Sequence, residues 1–163
     1  MPQAVPNGSE RPSPDLSTAG AMLPRTILWV QGSYFLFTGL WPLVSIRTFK
    51  MVTGEKTDHL PTGLEADHWL VMTVGVLVTA IALSLLTAAW RGQATAATVV
   101  LAIAAAAGLA AIDVVYVTRQ VIAPIYLVDA AVEIVLIAAW IVAFAWRPAS
   151  WETAQPAAAA TRP

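Results

Sequence analysis

HWLVMTVGVLVTAIALSLLTAAW, residues 68–90, holds no Asp, Glu, Lys or Arg between its first histidine and its last tryptophan. A helix crossing a hydrocarbon core of about 30 Å needs about 20 predominantly apolar residues at about 1.5 Å each. This stretch meets that length, so it is built for lipid. Working outward, three further stretches pass the same test: Arg25 to Ile46, Ala94 to Val117 and Ile122 to Trp146. Tryptophans mark the ends, with Trp29 and Trp41 on the first span, Trp69 and Trp90 on the second, and Trp140 and Trp146 on the fourth. Amphipathic rings of this kind sit at headgroup level. Pro42 is expected to kink or end the first span, and Pro124 fits the first turn of the fourth. The pattern predicts an all-α protein, a four-helix transmembrane bundle with spans near 25–46, 68–90, 94–117 and 122–146.

The composition agrees. Of 163 residues, 58% are hydrophobic and 12% charged, with a mean hydropathy of +0.68, whereas soluble domains carry roughly 25% charged residues. Nine Lys and Arg against ten Asp and Glu leave no basic excess for a nucleic-acid backbone, so nucleic acid is not an expected partner. The absence of cysteine excludes disulfides, thiolate metal sites and thiol nucleophiles. Residues 1–24 hold Pro2, Pro6, Pro12, Pro14 and Pro24 among small polar residues, and residues 149–163 are similarly poor in core formers. Both are expected to be disordered tails flanking a membrane domain at 25–148. The first apolar segment reads as an uncleaved span, because no basic start and short apolar core precede it. An even number of spans puts both tails on one side of the membrane. Arg11, Arg25, Arg91, Arg147 and Arg162 lie on the tail side, against Arg47, Lys50, Lys56 and Arg119 opposite. Five against four tips the termini to the cytoplasmic face.

Carboxylates inside such a bundle demand an account, since each costs at least about 2.5 to 3.5 kcal/mol at a helix centre. Three occur: Asp113 on the third span, Asp129 and Glu133 on the fourth. At 100° per residue, Tyr126, Asp129, Glu133 and Trp140 form one stripe, and Leu109, Asp113, Tyr116 and Gln120 another. Asp129 and Glu133 are expected at about 10 and about 16 Å from the start of the fourth span. The first span adds Gln31, Tyr34, Thr38 and Ser45, and the second Trp69, Thr73, Ser84 and Thr87. Together these predict a polar pocket opening toward the 47–68 loop. Like charges four residues apart repel in a medium that screens poorly, so the Asp129 and Glu133 pair is expected to share a proton or hold a cation such as Arg119 or Arg47. The pocket residues expected to meet a ligand are Gln31, Tyr34, Asp113, Tyr116, Arg119, Tyr126, Asp129 and Glu133. The competing account has the acids bonding across helices to Gln31 and the tyrosines simply to fix packing. The run Ala104 to Ala107, Gly108, Ala110 and Ala111 is expected to let the third helix approach partners on more than one side.

No cofactor or metal is indicated. His59 and His68 each follow an aspartate, but Pro61 and Gly63 leave their geometry open and no helical i, i+4 pair of ligands arises. That segment is read as a solvated loop with His68 at the interface. No nucleophile elbow, phosphate loop, HExxH or nucleotide fingerprint occurs.

Three stretches, GSYFLFTGLWPLVSIRTFKMVTGEKTD (32–58), WLVMTVGVL (69–77) and DVVYVTRQVIAPIYLVDAAVEI (113–134), cover over a third of the chain. They resemble a family of small, uncharacterised bacterial four-helix integral membrane proteins. Members pass directly from the KTD motif to WLV, so 59–68 resembles an insertion. The resemblance implies a multi-pass protein of the bacterial inner membrane and assigns no activity. The leading functional reading is a non-enzymatic binding or accessory protein, its pocket holding a small molecule or lipid. A proton- or ion-coupled carrier, which with four spans would need a homo-oligomer, is the first alternative. A lipid-modifying enzyme using carboxylates as acid and base is the second.

Overall fold

A computed structural model describes residues 16–54 and 68–145, with five helices and no strand among them. These are α1 (Leu16–Val44), α2 (Ile46–Thr53), α3 (His68–Arg91), α4 (Ala96–Thr118) and α5 (Tyr126–Ala145). Met22–Val44, His68–Arg91, Ala96–Thr118 and Tyr126–Ala145 are each long and apolar enough to cross a membrane. By length and composition the chain is a multi-pass membrane protein, and the four expected spans are present. The expected tail at 149–163 and the His59 segment lie outside the described residues.

Three boundaries differ from the sequence reading. Helix α1 begins at Leu16, inside the stretch read as a tail, and runs through Pro24. Residues 15–23 contain no proline, and extending an existing helix avoids the cost of nucleation, which outweighs the bond Pro24 removes. Downstream, Pro42 acts as expected, since the helix ends two residues later at Val44. Helix α5 begins at Tyr126, so Pro124 lies in the preceding turn. There the Tyr126, Leu127 and Val128 N–H groups donate to the Ala123, Pro124 and Ile125 carbonyls. The third difference is α2, in a stretch read as loop. Ser45 caps it by accepting from the Thr48 N–H, and Gly54, at φ +81°, closes it by donating to the Lys50 carbonyl at 2.9 Å. Ser before and Gly after a short amphipathic run are start and stop signals that sequence can show.

Helices α1 and α3 pack antiparallel along their length. Near one end the Arg25 Nε–H donates to the Ala89 carbonyl at 3.0 Å. Farther along, Gly39 and Gly75 let the two backbones touch. A Cβ at Gly39 would stand 2.8 Å from the Thr79 backbone nitrogen, and one at Gly75 would stand 2.8 Å from the Gly39 carbonyl oxygen. Contact this close is available only to glycine, and in lipid it supplies the dispersion energy that a hydrophobic drive cannot. Helices α4 and α5 form the second pair, joined to the first through α1 with α5 and α3 with α4.

The alanine run of α4 behaves differently from expectation. Ala102, Ala106 and Ala110 are buried, whereas Ala104, Ala107, Gly108 and Ala111 are exposed, and no neighbouring atom among the described residues would lie within 4 Å of a Cβ at Gly108. One side of the helix is covered among the described residues. Large apolar side chains such as Phe37, Leu77, Val100 and Ile134 point outward, as lipid permits.

The interior divides along its length. Toward the start of α1, Ile27, Leu28, Phe35, Val78, Ala82, Leu85, Val99, Ala102 and Trp140 form an apolar core. Toward α2, Asp113 and Glu133 are buried. Within the apolar half sits Gln31, fully buried on α1. Its Nε2 donates to the Ala102 carbonyl at 2.8 Å, and its Oε1 accepts from the Trp140 Nε1–H at 2.9 Å. One amide thus ties α1 to α4 and α5.

Candidate functional site

The fourth apolar helix, α5, presents its polar stripe inward as its period requires. Ala130, Glu133, Leu136, Trp140 and Ala143 are buried, and Tyr126 and Asp129 are half-buried on the same side. Because the helix starts at Tyr126, Asp129 lies about 4.5 Å and Glu133 about 10 Å along it, shallower than expected. From α4, Asp113 enters the same region at 6% exposure. From α1, the Tyr34 hydroxyl donates to Asp129 Oδ1. Tyr34 lies within electrostatic reach of Asp113, Asp129 and Glu133, and Glu133 within reach of the other two acids, so the three acids share one region of the interior, a three-acid cluster. Tyr126 completes its outer side, its buried hydroxyl beside Thr53 at the end of α2.

Glu133 is the unusual member. It is 0% exposed, and neither carboxylate oxygen has a hydrogen-bond partner among the described residues. Buried polar groups are almost always bonded, so an orphaned carboxyl group needs a reason. Asp129 and Tyr34, half-buried above it, form the accessible edge of the cluster.

Of the eight expected pocket residues, five converge here: Tyr34, Asp113, Tyr126, Asp129 and Glu133. Gln31 is buried but spent on the bonds to Ala102 and Trp140, so it serves packing. Tyr116 and Arg119 are exposed and do not line the cluster. The buried side of α4 runs through Val99, Ala102, Ala106, Ala110 and Asp113. Its next position is Val117, 40° from Asp113, whereas Tyr116 lies 60° to the other side. Arg119 follows in the turn after α4, where Gln120 adopts φ +59°. Arg47 likewise does not reach the acids and lines an outer cleft. The stripe expected on the second span also faces outward. Thr73, Ser84 and Thr87 are exposed, and each donates to the carbonyl four residues earlier, which satisfies a hydroxyl in lipid without a partner helix.

Among the described residues no three His, Asp or Glu side chains are grouped closely enough to hold a metal ion. Thr53 was missed because its helix was missed, although the Ser45 and Gly54 caps carried the signal. No family model, curated protein or solved structure matches the chain.

Proposed function

We propose that this is a membrane-embedded binding protein whose acid cluster takes a small ligand bearing hydrogen-bond donors or a positive charge. The observation that carries the reading is Glu133, whose two buried oxygens meet no donor among the described residues. A ligand N–H, O–H or ammonium group supplies what the protein omits and offsets the cost of three acids in lipid. Asp129 and Tyr34, at the accessible edge, are the first groups such a ligand meets, and Asp113 and Tyr126 flank it. The carrier and enzyme alternatives draw on the same acids, but among the described residues no feature beyond the cluster favours either. The setting we propose is the bacterial inner membrane, as the sequence resemblance implies, with both chain termini cytoplasmic on the Lys and Arg count.

The test is native mass spectrometry of the full chain released from mild detergent, beside its Glu133→Gln variant. Gln fills the same volume and introduces its own donors, so the variant should fold with a loss under about 1 kcal/mol. The natural protein should retain an additional small mass that Glu133→Gln loses. A natural protein free of any such mass, or an equal mass on both, would count against the reading.

A further inference from the structure

We propose a second site, at the membrane interface and independent of the acid cluster, that binds the phosphate of an anionic lipid headgroup. It lies between α2 and the start of α3, in a cleft of about 460 Å³ lined by Ile46, Arg47, Lys50, Met51 and His68. The two flanking spans end at Val44 and begin at His68, so the cleft lies where the hydrocarbon core gives way to headgroups.

The orientation of α2 creates this site. On one side the Thr48 hydroxyl accepts from the Trp41 Nε1–H at 3.0 Å, and the Phe49 ring meets Trp41 edge-on, with centroids 5.9 Å apart. Trp41 also stacks at a tilt on Phe37, 5.5 Å away, which anchors the contact to α1. With Thr48 and Phe49 held there, the positions left for the cleft are 46, 47, 50 and 51, neighbours on a helical surface. Arg47 offers a planar fork suited to phosphate oxygens, Lys50 a compact ammonium, and His68 a ring nitrogen from α3. No acidic side chain among the described residues lines the cleft. Ile46 and Met51 give it an apolar wall, which a lipid can use and a free phosphate ion cannot. The volume falls within the range of small-ligand sites and is sufficient for a glycerophosphate headgroup. Basic residues just outside a span attract anionic lipid, roughly fivefold in affinity for each charge.

The experiment titrates the full chain in detergent with phosphatidylglycerol, phosphatidylcholine or glycerol phosphate and counts bound adducts by native mass spectrometry. Phosphatidylglycerol should bind about tenfold or more tightly than phosphatidylcholine, and glycerol phosphate should bind more weakly than either. Arg47→Gln with Lys50→Gln should remove the preference, Lys50→Gln alone should reduce it, and Arg47→Lys should keep most of it. Arg119→Gln removes an exposed charge from the same end of the bundle without touching the cleft and should leave the preference intact. Equal binding of the two lipids would overturn the proposal. So would an equal loss in Arg119→Gln, which would indicate general surface charge, or glycerol phosphate binding as tightly as phosphatidylglycerol, which would indicate a soluble anion.

Discussion

Replacing Gln31 by Leu should weaken the bundle by a calculable amount. The substitution nearly conserves volume, so it leaves no large cavity, and its cost comes from two hydrogen bonds, to the Ala102 carbonyl and from Trp140 Nε1–H. Interhelical hydrogen bonds in membranes average about 0.6 kcal/mol and reach about 1.7, so two of them give about 1 to 3 kcal/mol. Gln31 and Trp140 are both 0% exposed, so no water replaces the lost acceptor and the indole N–H is left stranded. Equilibrium unfolding in mixed dodecylmaltoside and dodecyl sulfate micelles, followed by circular dichroism, measures the loss. A cycle with Trp140→Phe isolates the shared bond, because the double variant no longer strands a donor. The coupling should be about 0.6 to 1.7 kcal/mol. A coupling within about 0.3 kcal/mol of zero would refute the assignment of Gln31 as the link between α1 and α5.

Gly39→Ala should cost about 1 to 3 kcal/mol in the same unfolding assay, since its Cβ would press on the Thr79 backbone. Gly108→Ala, which meets nothing, should be neutral or stabilising by up to about 1 kcal/mol; similar losses at both sites would undo the account of α1 packing on α3. After α3, Gly92 at φ +66° donates to the Ala89 carbonyl while Gln93 donates to Ala88. The turn after α4 repeats this pattern with Gln120, which donates to Val117 while Val121 donates to Tyr116. A side chain in this left-handed region carries strain of about 1 to 2 kcal/mol, partly offset by the entropy glycine loses on folding. Gln120→Gly should therefore raise stability by up to about 1 kcal/mol and Gly92→Ala should lower it, and a melt in which Gln120→Gly is the less stable protein would contradict this. The chain has no cysteine, so single cysteines report topology cleanly. With cytoplasmic termini, a membrane-impermeant thiol reagent applied to intact cells should label Thr118→Cys and spare Gln93→Cys, and the reverse pattern would invert the orientation.

What the sequence determined by itself were the features that depend on one segment at a time. Whether a stretch enters lipid is decided by its own length and polarity, so residues 68–90 and the three other spans could be located without knowing their neighbours. The shared side of three of the expected pocket residues was legible for a related reason: carboxylates so costly in lipid are expected to face protein, and the period of α5 then brings Tyr126 and Glu133 to the same side as Asp129. The caps at Ser45 and Gly54 are a sequence signal too, but a short one, bracketing only eight residues. Tertiary structure alone decided which surfaces meet. In water an apolar stripe marks the buried face of a helix, but these helices are apolar all round, and lipid leaves no hydrophobic contrast to read. Thr73, Ser84 and Thr87 could therefore turn outward and bond their own helix, while Gln31 turned inward to join three helices. For the same reason the alanine run of α4 suggested contacts on several sides, whereas the closest approach belongs to Gly39 and Gly75. Contact there depends on two particular backbones lying within a methyl group's width of each other, and only the folded chain establishes that.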